Sequence, residues 1–274
     1  MSGKNKKPAL YPIYLIIILV IMYIPIILVI VYSFNRSRLS SVWGGFTFSW
    51  YTELFKDRRM FEALLNSLIL AILSSLLSAI LGTLGATGMA KIRMASKTSV
   101  KTYVINKTSF HKTMESLSIL PIMAPEIILG MAFLAFFSLL AIPWGMFTLV
   151  IAHTAFCIPY PYLLVRARLA GLDKSYIEAA RIMGASGMRA FYDITLPLMF
   201  PAIVSGILIS FAMSFDDVIV SSFVAGNTNT LPMVIYSQLR TGVTPKTNAL
   251  CSLLFILTII LCTAAAFLAR RKQK

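Results

Sequence analysis

The sequence predicts an all-α membrane protein with six transmembrane helices and both termini on the cytoplasmic side. Three observations predict it. The chain is 58% hydrophobic and only 13% charged, whereas a soluble domain of this size carries about 25% charged residues. The apolar residues fall in blocks of about 20, the length a helix needs to cross the hydrocarbon core of a bilayer. The basic residues collect in alternate loops between those blocks, the asymmetry that orients a membrane protein.

The expected helices lie near 13–33, 64–90, 117–140, 145–165, 199–224 and 249–269. Lys4, Lys6 and Lys7 precede the first and resemble the charged start of a signal peptide. The apolar run from Ile13 to Tyr32 is nevertheless a full span, and no small-x-small cleavage site follows it, so it reads as a retained helix. A short turn at Pro143, Trp144 and Gly145 separates the third block from the fourth. The outer segments then hold Arg36, Arg38, Lys56, Arg58, Arg59, Arg240 and Lys246, which leaves 18 of the 25 Lys and Arg residues inside.

Several function classes drop out. The net charge of +15 is spread over short loops and assembles no basic face or motif for nucleic acid. Cys157, Cys251 and Cys262 lie within apolar blocks without metal-ligand spacing, so they read as small buried residues, with no metal site and no cofactor. Gly82, Gly85 and Gly88 recur every third residue and suit close helix packing in lipid. No Gly-Lys-Ser/Thr follows them, so the chain has no nucleotide-binding loop of its own and does not read as an enzyme.

The inner loop at about 166–197 carries the most information. It contains Ser175-Tyr176-Ile177-Glu178-Ala179-Ala180-Arg181-Ile182-Met183-Gly184-Ala185-Ser186 and ends Ile194-Thr195-Leu196-Pro197. Ser175 and Glu178 have capping-box spacing, which predicts a helix start at Ser175. Gly184 fits a left-handed helix C-terminus. Ser186 can cap a second helix, and Pro197 is expected to end that helix and open the fifth span. The result is a rigid helical elbow. In Glu178, Ala179, Ala180, Gly184, Ile194, Leu196 and Pro197 it resembles the EAA loop of ATP-binding cassette (ABC) importer permeases. The resemblance implies the type I importer permease fold, one permease domain over 1–274, and a loop that docks on a partner ATPase. It also implies a second homologous permease, two ATPase subunits and an extracytoplasmic substrate-binding protein. The expected location is the cell (inner) membrane.

A narrower resemblance lies at Ser214-Phe215-Asp216-Asp217-Val218, Ser221-Ser222-Phe223, Thr230-Leu231-Pro232, Ile235-Tyr236-Ser237 and Asn248-Ala249-Leu250. It is similar to the spermidine/putrescine importer permeases, which implies a polyamine cargo. The Thr/Lys-rich inner loop from Ser96 to Lys112 matches that family weakly. Only Glu126, Asp216 and Asp217 are acidic residues inside expected spans. A charge at the bilayer centre costs about 2.5–3.5 kcal/mol even on lenient scales, and adjacent carboxylates repel, so a polyvalent cation would relieve both. Glu126, Asp216, Asp217 and Tyr236 are therefore the candidate pathway residues, with Phe215, Trp43 and Trp50 as further aromatic partners for ammonium groups. The alternative is that the acids bond to neighbouring helices, to Arg240 or to a second permease. His153 reads as an interhelical hydrogen-bond partner. Competing readings are an ABC permease for another small cargo and, from a different class, an ion-gradient-driven transporter. The second would carry inverted repeats with paired broken helices, and no such symmetry is visible.

The orientation is testable by labelling in intact cells. A membrane-impermeant thiol reagent should reach Asn227→Cys and leave Lys101→Cys unmodified. The reverse pattern would invert the topology.

Overall fold

The computed structural model describes residues 10–38, 42–96, 113, 116–173 and 175–271. The amino-terminal lysines and most of the Thr/Lys-rich inner loop, His111 included, lie outside these residues, as does the Cys262 side chain. Among the described residues the secondary structure is helical, apart from one isolated bridge between Asn35 and Phe46.

Four helical stretches are long and apolar enough to cross a membrane: Pro12–Tyr32, Arg58–Ala90, Met146–Ala170 and Gly187–Asp216. They correspond to the first, second, fourth and fifth expected spans. The first belongs to α1 (Leu10–Tyr32), the second to α3 (Arg58–Ser96), which follows the short helix α2 (Ser49–Lys56).

The third expected span is not one straight helix. It is a pair, α4 (Ser116–Met123) and α5 (Glu126–Leu139), bent by 110°. Pro125 explains the break: it offers no N–H, and it drives the residue before it out of the helical region. The ladder restarts with Pro125 at φ −57°, ψ 133°, its carbonyl accepting from Ile128 and Leu129.

The fourth span comprises α6 (Met146–Cys157) and α7 (Pro159–Ala170). After the short α8 (Ser175–Ile182) and α9 (Gly187–Ala190), a π-helical turn at Phe191–Thr195 leads into α10 (Leu196–Asp216). Pro197 was expected to separate α9 from the span, but the helix runs through. The wider turn lies just ahead of Pro197, where a regular α-turn would press the ring on the preceding carbonyls.

The fifth expected span, 199–224, stops early. α10 ends at Asp216, Asp217 is extended (φ −67°, ψ 129°), and α11 covers Ile219–Val224 separately. The chain closes with α12 (Leu231–Thr241) and α13 (Pro245–Arg271), the latter at the sixth expected span, with an apolar stretch from Pro245 to Ile260.

These elements group into two compact units, one formed by the segments up to Phe61 and from Ile235, the other by Glu62–Val234. In the first, α13 packs on α1 and α2. Asp57 accepts from the Met60 N–H at the start of α3 and pairs with Lys246 of α13. The Lys246 hydrogen bond holds the Asp57 carboxyl below its usual range. Asn35 organises the segment between α1 and α2: its side chain donates to the Val42 carbonyl and accepts from Ser37 and Gly44, while the Trp50 indole donates to its carbonyl at 2.7 Å.

The second unit centres on Leu70, Phe137, Leu149, Ala152, Val220 and Val224, with a further cluster of Ala86, Tyr162, Val165 and Met199. Close approach here rests on glycine. A Cβ on Gly206 of α10 would stand 2.7 Å from Pro161 Cα of α7, and one on Gly82 of α3 would stand 2.9 Å from the Tyr162 nitrogen. Of the three regularly spaced glycines, then, Gly82 makes the tight contact. Gly85 faces the Tyr162 ring at an ordinary distance, and Gly88 faces open space.

Gly206→Leu should therefore destabilise by about 1–3 kcal/mol or more, the range for overpacking a filled contact, while Gly88→Leu should stay within about 0.5 kcal/mol. Thermal unfolding of the purified protein in detergent reads the difference. Equal melting temperatures would show that the α7–α10 contact yields without strain.

Candidate functional site

The structure presents two sites, an exposed helical elbow and a buried polar cluster at the end of α10. The elbow begins at α8, whose first residue is Ser175, as the spacing predicts. The Ser175 N–H donates to the Asp173 carboxylate at 3.0 Å, and this bond holds the Asp173 carboxyl below its usual range. The acceptor for the first turn is thus a residue the capping-box reading passed over.

At the other end Gly184 has φ +86°. The Met183 and Ala185 N–H groups return to the Ala179 and Ala180 carbonyls, the closure that a left-handed residue makes possible. A Cβ on Gly184 would meet nothing within 4 Å, so the requirement for glycine within this chain is conformational. Ser186 caps α9 by accepting from Arg189 N–H at 3.3 Å. Arg168 on α7 donates to the Leu198 carbonyl at 3.0 Å and ties the elbow's two ends together.

The seven motif residues divide by direction. Ala180 is buried, and Ile194 and Leu196 are half-buried, with Leu196 against the Tyr162–Met199 cluster. Glu178, Ala179, Gly184 and Pro197 are exposed. Room for a docking partner therefore falls to Ala179 and Gly184, whereas Ala180 packs inward. Beside them Ile182 and Met183 are 87% and 86% exposed, two large apolar side chains that no described residue of this chain covers.

At the end of α10 the two adjacent aspartates separate. Asp217 turns inward, with a side chain only 6% exposed. Its carboxylate accepts from the Val220 N–H at 3.2 Å and the Ser221 N–H at 2.7 Å, so it caps α11 and supplies the acceptors that a helix start lacks. A short carboxylate that captures the backbone ahead of it competes with helix continuation, which explains why α10 stops where it does. His153 of α6 stands beside it, Nε2 3.5 Å from Asp217 Oδ2. Asp216 is exposed and has no hydrogen-bond or ion-pair partner among the described residues.

The structure does not gather all the candidates. Glu126 is exposed at the first turn of α5, next to the Pro125 break. Tyr236 lies in the other unit, with the Arg240 guanidinium 5.2 Å over its ring. Trp50 is buried and committed to Asn35. Trp43 stands edge-on to Tyr32, and Phe215 stacks on Phe211. His153 does join helices, as its place in an apolar block suggested. Ser214 and Ser221 meet it, and Ser74 meets Ser214; their pairing with His153 escaped the sequence reading, because serine is common in apolar helices and nothing local marks a buried one.

Comparison with known proteins extends the picture. Residues 102–273 match the family described as binding-protein-dependent transport system inner membrane component. The chain is 34% identical to the spermidine/putrescine transport system permease protein PotC of Haemophilus influenzae, over 95% of this chain and 96% of that one. PotC of Escherichia coli K12 is 36% identical over 92% of this chain and 91% of its own. The putrescine transport system permease protein PotI of the same organism is 35% identical over 98% and 95%. Among solved structures, a chain of a bacterial ABC transporter involved in the import of the acidic polysaccharide alginate superposes with TM-score 0.67 at 16% identity, covering 94% of each chain. A chain of the MetNI methionine ABC transporter gives 0.59 at 17% identity, over 80% of this chain and 99% of that one. At these identities the structures speak for the fold, that of ABC importer permeases.

The two aspartates should respond differently to substitution. Asp217→Ala leaves two N–H groups of α11 without acceptors and should lower stability by about 1–3 kcal/mol, read as a lower melting temperature in detergent. Asp216→Asn should shift it by less than about 0.5 kcal/mol. Identical shifts in the two variants would count against the cap.

Proposed function

The chain belongs to the binding-protein-dependent transport system inner membrane component family, and on that premise we propose that it forms half of the translocation pathway of a polyamine ABC importer. It is a transporter subunit and not in itself an enzyme; ATP hydrolysis belongs to a separate partner. In this reading residues 1–274 form one permease domain with six spans and cytoplasmic termini. A second homologous permease completes the pathway, two ATPase subunits bind from the cytoplasm, and an extracytoplasmic binding protein delivers a polyamine such as spermidine or putrescine.

The single observation that carries the cargo reading is Asp216. It is an exposed carboxylate at the end of a helix of 21 residues, about 30 Å from the helix start at 1.5 Å per residue. With the elbow inside, that places it towards the outer end of the membrane, where a cation leaving the binding protein enters. An unpaired carboxylate there is expensive in lipid and inexpensive beside an ammonium-lined cargo. Glu126, exposed beside the α4–α5 break, supplies a second carboxylate. Asp217 is assigned to the cap, and Tyr236 to the outer path as a ring that a cation can face.

The coupling reading rests on the elbow. Ile182 and Met183 project from a turn closed by Gly184, and burial in a groove of the ATPase would remove both from water at about 25 cal/mol per Å² of apolar surface. Glu178 and Ala179 flank the same face.

One set of measurements on the assembled importer tests both halves. Asp216→Asn should keep the complex intact and cut ATP-driven uptake of radiolabelled spermidine at least about tenfold, the effect of losing one desolvated charge pair. Gly184→Leu, strained by about 1–2 kcal/mol in the left-handed region, should insert normally but lose co-purification with the ATPase. Unchanged uptake in the first variant removes the pathway role, and a normal complex in the second removes the docking role.

A further inference from the structure

The buried cluster beside Asp217 has no part in the function as described so far, yet it joins four helices, α3, α6, α10 and α11. Ser74 of α3 meets Ser214 of α10 at 2.8 Å. Ser214 meets His153 Nδ1 at 2.8 Å, and His153 Nε2 meets Ser221 of α11 at 3.0 Å, with Asp217 Oδ2 at 3.5 Å. Ser74, His153 and Ser221 are fully buried and Ser214 nearly so. Two proton arrangements run along the series. In one, Ser74 donates to Ser214, Ser214 to Nδ1, and Nε2–H points towards Ser221 and the Asp217 carboxylate; in the other, Ser74 donates to the Leu70 carbonyl at 2.7 Å, Ser214 to Ser74, Nδ1–H to Ser214, and Ser221 to Nε2.

α6 also holds the far end of α11. Thr148 Oγ1 donates to the Val224 carbonyl at 2.8 Å, and Gly226, at φ +57°, lies against Trp144. The short helix is thus pinned to α6 at both ends, by His153 at its start and Thr148 at its finish. The chain between α10 and α11 is a single break, and Asp216 is the residue on its α10 side.

We infer that His153 is a positioning residue for cation passage: by keying Ser214 of α10 and Ser221 of α11 to one imidazole, it fixes the helix break and with it the place of Asp216. This rests on the pathway role of Asp216 proposed above. His153 itself touches no cargo, since it is closed off from solvent. Its influence runs through the geometry of the break, so it governs how well the cation is met more than whether the protein assembles.

The test uses the complete importer, with spermidine uptake per assembled complex measured over a range of concentrations. His153→Ala should raise the apparent KM on the order of tenfold while the maximal rate stays within about twofold, a size typical of coupled neighbours. His153→Gln, whose amide can still donate and accept, should recover most of the loss. Ser214→Ala, a smaller change that keeps the fold intact if His153→Ala does not, should move KM in the same direction. In an Asp216→Asn background, His153→Ala should add little. Full additivity of the two substitutions, or a fall in complex amount with KM unchanged in both His153→Ala and Ser214→Ala, overturns the inference while leaving Asp216 in the pathway. An Asp216→Asn protein with normal uptake overturns the pathway role and the inference with it.

Discussion

The second unit depends on one requirement: inside lipid, every backbone N–H and C=O must find a partner within the protein. A continuous helix meets it automatically. A broken one does not, and the helical course is interrupted between Met123 and Glu126 and again after Asp216. At the first break the Pro125 carbonyl takes two N–H groups of the next turn. At the second the Asp217 carboxylate takes two more, with His153 beside it and Ser221 and Ser214 on the imidazole's two nitrogens. Buried polar groups that elsewhere would be a liability are here what permits the backbone to leave the helix.

Packing around the breaks follows from the same economy of space. Gly82 and Gly206 bring α3 and α10 onto the Pro161–Tyr162 stretch of α7 at distances no side chain would allow. Lipid offers no hydrophobic drive for such association, so dispersion across close surfaces supplies it. The serine and histidine bonds between α3, α6, α10 and α11 then work at short range because the helices already stand close.

The exposed elbow obeys different rules, since water can satisfy its backbone. Its order comes from caps: Asp173 and Ser186 at two helix starts, and the left-handed Gly184 between them. Such a turn is stiff without a core of its own. The uninterrupted run from Gly187 through the π turn to Asp216 joins that stiff turn to α10.

Hydropathy over windows of about 20 residues located the four long apolar helices and the bent pair, because transfer into lipid depends on composition more than on neighbours. Ser175, Gly184 and Ser186 were legible for a similar reason: caps are local, and the residues that make them lie within four positions of the groups they serve. The tertiary structure alone decided what depends on distant partners. Asp216 and Asp217 are indistinguishable as adjacent acids, and only the turn of the backbone sends one outward and the other onto α11. Ala180 carries the same side chain as Ala179, yet it is buried because of the face it occupies. His153 meets residues 61 and 68 positions away, and Ser74 meets one 140 away. No pattern along the chain records such pairings, since they form only when helices separated in sequence are brought to within a hydrogen bond's length.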